Sequence, residues 1–164
     1  MCVSFDEDTC TLKKQGDYMY LDYGLDFYAP QTFLDEYQQR TMFGWMRMRK
    51  PAKDENWCGM LTMPRVIINK NGHIYQQVHP HIKRLFTKEA KIIDFNQPFQ
   101  LLTSLKEGEE ISLGGLKLSI KNDCLYCDRE KVSIVADKVC NINHTPCLNG
   151  QYDLEIYYLS LIHI

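Results

Sequence analysis

Between residues 22 and 46 the chain carries more polar and aromatic side chains than a purely structural pair of strands needs. Asp22-Tyr23-Gly24-Leu25-Asp26-Phe27-Tyr28-Ala29-Pro30-Gln31-Thr32-Phe33 is followed at short distance by Gly44-Trp45-Met46. A plain strand pair alternates apolar and polar residues. Here carboxylates, an amide and flat rings crowd into segments that otherwise read as strands, Phe27–Leu34 and Arg40–Met46. The combination suits a polyhydroxylated ligand. Carboxylate and amide serve hydroxyl groups, and rings cover the apolar C–H face of a sugar.

Strand signals continue along the chain. Residues 18–23 read as a short strand, and Asp35-Glu36-Tyr37-Gln38-Gln39 as a polar turn. Residues 47–56 read as a charged loop. Residues 65–69 and 73–77 are expected to pair through Asn71-Gly72, the strongest short hairpin signal. One short helix is predicted over 80–90, because Pro80 suits a first helical position and Ile82, Leu85 and Phe86 share a face. Beyond it, residues 92–95, 99–104, 110–113, 116–120, 132–136 and 154–157 read as strands, with Leu125 in another and Gly114-Gly115 as a turn. Many short strands at this spacing predict an all-β protein, with a sandwich in its second half.

The chain has 164 residues, room for one ordinary domain or two small ones. A net charge of −2 argues against a nucleic-acid or acidic-membrane footprint, and no apolar run approaches the roughly 20 residues of a membrane span. Seven cysteines at irregular spacing do not read as a disulfide framework. Free thiols fit a reducing compartment, so the cytoplasm is the expected location.

Three ordered blocks resemble glycoside hydrolase family 32, the β-fructofuranosidases. They are the run from Asp22 to Phe33, then Trp57-Cys58-Gly59-Met60-Leu61-Thr62-Met63-Pro64-Arg65, then Asn71-Gly72-His73-Ile74-Tyr75-Gln76-Gln77. The second is similar to the family's Trp-x-Gly-x-x-(Thr/Ser)-x-Pro-Arg segment. Order and spacing agree over roughly residues 17–86, which is more specific than any single short pattern. The resemblance implies the last part of a five-bladed β-propeller over residues 1–78 and a linker with a short helix over 79–91. An incomplete C-terminal β-sandwich over 92–164 follows. It also implies retaining cleavage of a fructosyl bond, which needs two carboxyl groups about 5 Å apart. The family's Asn-Asp-Pro-Asn-Gly, Arg-Asp-Pro and Glu-Cys motifs do not occur in these 164 residues. No catalytic residue is therefore assigned, and the chain reads as the C-terminal portion of such an enzyme. Its terminal Leu159-Ser160-Leu161-Ile162-His163-Ile164 has two readings: a natural apolar strand, or one frame of a transposase-adapter sequence.

The resemblance puts Asp26, Tyr28 and Trp45 at the substrate. Asp26 would accept from sugar hydroxyls, Tyr28 would direct its hydroxyl toward the catalytic carboxylates, and Trp45 would wall the pocket. The structural alternatives are a turn-forming Asp26, a buried Tyr28 and a core Trp45. Asp22 has the same two readings as Asp26. Gln31 is expected to support the site from behind, and Trp57 to pack. The partner would be sucrose or a related fructoside, with neither nucleic acid nor membrane involved and a homo-oligomer formed through the sandwich. No cofactor and no metal are expected. Cys124-Leu125-Tyr126-Cys127 has the spacing of a zinc pair, with Cys140, Cys147 and His144 further on. In a strand, however, positions i and i+3 face opposite ways. Arg47, Arg49, Lys50 and Lys53 read as a solvated loop, or as a phosphate contact. His79-Pro80-His81 reads as surface. Two other classes remain open on the residues alone, a non-catalytic carbohydrate-binding module and a metal or redox protein built on the cysteines.

Overall fold

A computed structural model describes residues 2–15, 20–24, 26–48, 51, 56–132, 142–146 and 151–159. They form an all-β fold whose one helix among the described residues is a single turn. An N-terminal hairpin pairs β1 (Cys2–Asp6) with β2 (Thr11–Gln15). The next sheet runs β3 (Phe27–Leu34), β4 (Arg40–Met46), β6 (Arg65–Lys70), β7 (His73–Val78), with the short β5 (Met60–Leu61) also on β4. After α1 (Pro80–Lys83) come β8 (Phe99–Lys106), β9 (Glu110–Leu113), β10 (Leu116–Lys121), β11 (Cys124–Asp128), β12 (Ile142–Pro146) and β13 (Gln151–Tyr158). They make two further sheets, β12-β11-β10-β9 and β13-β8, and all pairing is antiparallel.

Turn chemistry sets the registers. Asn71-Gly72 closes β6–β7 with both residues at positive φ (54° and 79°), as a mirror-image two-residue turn requires. Gly114-Gly115 (55° and 91°) closes β9–β10 in the same way. Asn122-Asp123 (51° and 53°) closes β10–β11 without glycine, using the two residue types that best tolerate left-handed backbone.

The alternation of β10 and β13 builds the second half. Leu118 and Ile120 of β10 and Leu105 of β8 are buried together, with Tyr152, Leu154 and Ile156 of β13 packed against them. Side chains of both sheets thus share one apolar cluster. In the first half, Met42 of β4 and Val66 of β6 are buried.

Three expected elements differ. Residues 20–23 are not a strand: the Asp22 carboxylate accepts from the Gly24 N–H at 2.5 Å, a local bond that competes with ladder pairing. Residues 92–95 are irregular for the same reason, since Asp94 Oδ1 accepts from the Asn96 N–H at 2.9 Å. The helix expected over 80–90 stops at Lys83. Leu85 and Phe86 donate three residues back, to Ile82 and Lys83, so the turn tightens and ends. Phe86 then leaves to set its ring edge-on to Tyr157, 5.4 Å away. Of the strand expected over 132–136 only Val132 is described, in a turn. Cys140, Cys147, most of the charged loop (49–50 and 52–55) and residues 160–164 lie outside the described residues.

α1 ties the two halves together. His79 caps it, with Nδ1 accepting from the His81 N–H at 3.2 Å. At its other end Lys83 Nζ donates to Glu155 Oε2 at 2.7 Å. Burial pushes the Glu155 carboxyl up, but Lys83, Tyr157 and Gln100 together hold it below its ordinary range.

Candidate functional site

β3 and β4 place Tyr28 directly opposite Trp45. The rings meet edge to face, with centroids 6.1 Å apart and planes 66° apart, a favoured geometry for two quadrupoles. Both remain open to solvent, Tyr28 at 53% and Trp45 at 38%. The Arg47 guanidinium lies 5.1 Å from the Tyr28 centroid and adds a cation to the same face. Neither ring is the core residue of the alternative reading.

The geometry of the pair comes from backbone irregularity on both sides. Between Tyr28 and Gln31 the register slips, and Ala29 sits at φ +46°. Ala29 and Pro30 together oppose the single residue Gly44, a β-bulge. Proline, which has no N–H for the ladder, is tolerated there. Behind Trp45, Gly59 approaches the indole so closely that a Cβ there would lie 2.3 Å from Nε1. Gly44 carries the Phe27 ring in the same manner, with only 2.2 Å left for a Cβ. Thr62 completes the backbone of Gly44, accepting its N–H on Oγ1 (3.0 Å) and donating its own N–H to the Gly44 carbonyl (2.8 Å). The glycine and threonine of the second sequence block thus shape the floor under Trp45.

Asp26 does not join the aromatic pair through its side chain. Its carboxylate pairs with Arg129, at the end of β11, through Oδ2 to Nη1 and through Oδ1 to Nη2 at 3.5 Å. Its carbonyl accepts the Arg47 N–H at 2.8 Å and extends the β3–β4 ladder. Gln31 is exposed beyond the bulge, opposite Phe43. Asp22 belongs to a separate open cleft of about 300 Å³ lined by Leu21, Tyr23, Arg65 and Gln76. There Arg65 Nη1 donates to Asp22 and, at 3.2 Å, to Gln76 Oε1, while Gln76 Nε2 donates to the Leu21 carbonyl. Arg65 also stacks 5.2 Å over Phe27, which links the cleft to the strand that carries Tyr28.

The reading of His79 as surface is overturned. Its side chain is buried, and Nε2 lies 3.0 Å from Asp35 Oδ2. With Nδ1 accepting from His81, Nε2 carries the proton and donates. Asp35 also accepts from the Tyr37 and Gln39 N–H groups (both 2.9 Å) and from the Thr41 hydroxyl (3.2 Å). The bond from His79, reinforced by these donors, lowers its pKa to about 2. A depressed carboxyl stabilises the fold above its unfolded pKa and loses that contribution as pH falls toward the folded value. Thermal melts from pH 5 to pH 2 should therefore show a loss of stability between about pH 4 and pH 2. Asp35→Asn should lack that segment of the decline.

Cys124 and Cys127 lie on β11, where Cys127 packs into the apolar cluster and burial pushes its thiol up. That disfavours the thiolate a metal or redox partner needs. No metal-binding group of three or more His, Cys, Asp or Glu side chains occurs among the described residues.

Sequence reasoning missed Arg129 and His79. Asp26 and Arg129 are 103 positions apart, and no local pattern joins them. For His79 the signal was a histidine at the residue before a helix-starting proline, a capping position that wants an acceptor.

The described residues thus define an all-β chain with an exposed aromatic pair on the β3–β4 hairpin, at the edge of the β3-β4-β6-β7 sheet. Residues 1–78 match the model of the glycosyl hydrolases family 32 N-terminal domain. A sucrose-6-phosphate hydrolase from Vibrio alginolyticus is 30% identical over 164 residues, 92% of this chain and 34% of that protein. One from Staphylococcus xylosus is 37% identical over 101 residues, 60% of this chain and 20% of that protein. In fold, the chain is similar to the solved sucrose-6-phosphate hydrolase from Lactobacillus gasseri. The TM-score is 0.64 at 22% identity, covering 84% of this chain and 33% of that one. Over residues 1–78 the chain thus matches glycoside hydrolase family 32, and over most of its length it is similar to sucrose-6-phosphate hydrolases. It spans about a third of the length of the first relative and a fifth of the second.

Proposed function

We propose that this chain is the C-terminal portion of a retaining β-fructofuranosidase that cleaves the fructosyl bond of sucrose or sucrose 6-phosphate in the cytoplasm. Residues 1–78 are read as the end of a five-bladed β-propeller, 79–91 as the linker and 92–164 as a β-sandwich, which also offers a surface for a homo-oligomer. Tyr28 and Trp45 face the apolar side of the sugar. Asp26 accepts from its hydroxyls on the lone pairs that Arg129 leaves open, since a carboxylate has about four acceptor sites. The catalytic carboxylates come from outside these residues. The observation that supports this reading most is that the segment matching the family carries the exposed Tyr28–Trp45 pair.

Reading the gene upstream of this segment tests it. The reading expects Asn-Asp-Pro-Asn-Gly, Arg-Asp-Pro and Glu-Cys in frame. The purified chain alone should not hydrolyse sucrose. Measurable hydrolysis by the 164-residue chain that disappears in Asp26→Ala would overturn the assignment.

A further inference from the structure

We propose that Arg129 is a positioning residue. From the second half of the chain it reaches the first, fixes Asp26, and through Asp26 sets the orientation of the Tyr28–Trp45 pair. Its bearing on sugar binding rests on the reading above, while its structural consequence does not.

The turn that carries Arg129 is built for one shape. Glu130 N–H donates to Asp128 Oδ1 at 2.9 Å and Val132 N–H to the Arg129 carbonyl at 3.0 Å. The same turn is braced from the β9–β10 hairpin. A Cβ on Gly115 would lie 2.4 Å from the Lys131 carbonyl oxygen, and Gly115 holds φ +91°. Glycine is therefore required on both counts.

The side chain is committed to Asp26. Nη1 donates to Oδ2 and Nη2 to Oδ1, the fork geometry that arginine offers and lysine does not. Nε is buried and has no hydrogen-bond partner among the described residues. An arginine free to choose would turn that N–H to water. Its side chain is 23% exposed and that of Asp26 29%, so the pair is drier than an ordinary surface bridge.

Asp26 is well placed to transmit the constraint. It precedes Phe27 directly, and its carbonyl takes the Arg47 N–H, closing the β3–β4 ladder at the end where the rings stand. The Arg47 side chain covers Tyr28, and Tyr28 meets Trp45. The bulge at Ala29 bounds the same short segment on its other side. Tyr28 therefore sits between a bulge and a ladder end, and Arg129 holds the ladder end.

The test uses the full chain in a Trp57→Phe background, so that Trp45 is the sole indole emitter. Arg129→Gln should shift Trp45 emission to the red and make it more accessible to acrylamide. Arg129→Lys, which keeps the charge without the fork, should recover part of the shift. Glu110→Gln breaks an exposed bridge to Lys117 and should leave the signal at its starting value. Should Arg129→Gln fail to fold, Asp26→Asn keeps the side-chain shape and must give the same shift. Unchanged emission and quenching in the folded variants would overturn the proposal. A shift in a chain that binds no fructoside would uphold the role of Arg129 and count against the sugar reading instead.

Discussion

Gly59→Ala should both destabilise the chain and displace Trp45. Two costs fall on one methyl group. Gly59 holds φ +88°, where an L-residue pays roughly 1–2 kcal/mol. The new Cβ would also lie 2.3 Å from the indole Nε1 and 3.0 Å from the Met46 carbonyl oxygen. Backbone cannot yield cheaply, so the indole must move, at a further cost of about 1–3 kcal/mol. Gly72→Ala provides the comparison, because its φ is +79° and nothing lies within 4 Å of its Cβ position. It should pay the backbone term alone. Urea titrations of the two variants separate strain from collision, and near-UV circular dichroism reports the indole. If Gly59→Ala costs no more than Gly72→Ala and leaves the aromatic spectrum intact, Gly59 is not the backing of Trp45.

That prediction rests on a motif whose presence was legible and whose physics was not. The hairpin over Phe27–Leu34 and Arg40–Met46 follows from the sequence to the residue, because its polar turn and its aromatic, β-branched flanks agree. Asn71-Gly72 and Gly114-Gly115 were legible for the same reason: positive φ is written in the residue type. Asn122-Asp123 carried that information in a weaker form and was passed over. What failed were short apolar runs beside an aspartate. At Asp22 and Asp94 the carboxylate takes a local N–H and the expected strand does not form. A strand pattern is a statement about side chains, and an Asx turn acts on the backbone that has to pair.

The site divides along the same line. Tyr28 and Trp45 were named from sequence, and their register pairing brings them together. Asp26 was named with them, yet its carboxylate is held by a residue 103 positions away. Contacts at that separation depend on how the halves of the chain meet, and no local period encodes this. His79 shows the converse. Its proline neighbour marked the helix start correctly, but its acceptor Asp35, itself only half-buried, arrives from the β3–β4 turn, 44 positions earlier. Both missed residues bridge elements, and both are charged or polar groups whose burial makes sense only with the distant partner in place.

The same bridges govern the second large effect. Ile120→Ala should cost about 2–5 kcal/mol, the range for emptying a fully buried aliphatic position. Ile120, next to the last residue of β10, is 0% exposed, and its cluster includes side chains of β13 from the β13-β8 sheet. A cavity there has walls on two sheets, each held by its own ladder, so it cannot close by moving one strand. The lost stability should also reach the first half. β13 carries Glu155, which holds Lys83 of α1, and β11 leads into Arg129, which holds Asp26. Loosening the β10–β13 packing frees both tethers. In urea, the Trp45 signal of Ile120→Ala should therefore move to lower denaturant together with the far-ultraviolet signal of the sheets, although Trp45 lies outside the cluster. Met42→Ala, which empties a 0% exposed position in the β3-β4-β6-β7 sheet, should shift the same two signals together. If Trp45 holds its midpoint in Ile120→Ala while the sheet signal splits, the halves unfold independently and the tethers carry no cooperativity. If the two move as one, the second half of the chain sets the stability of the surface that carries the aromatic pair.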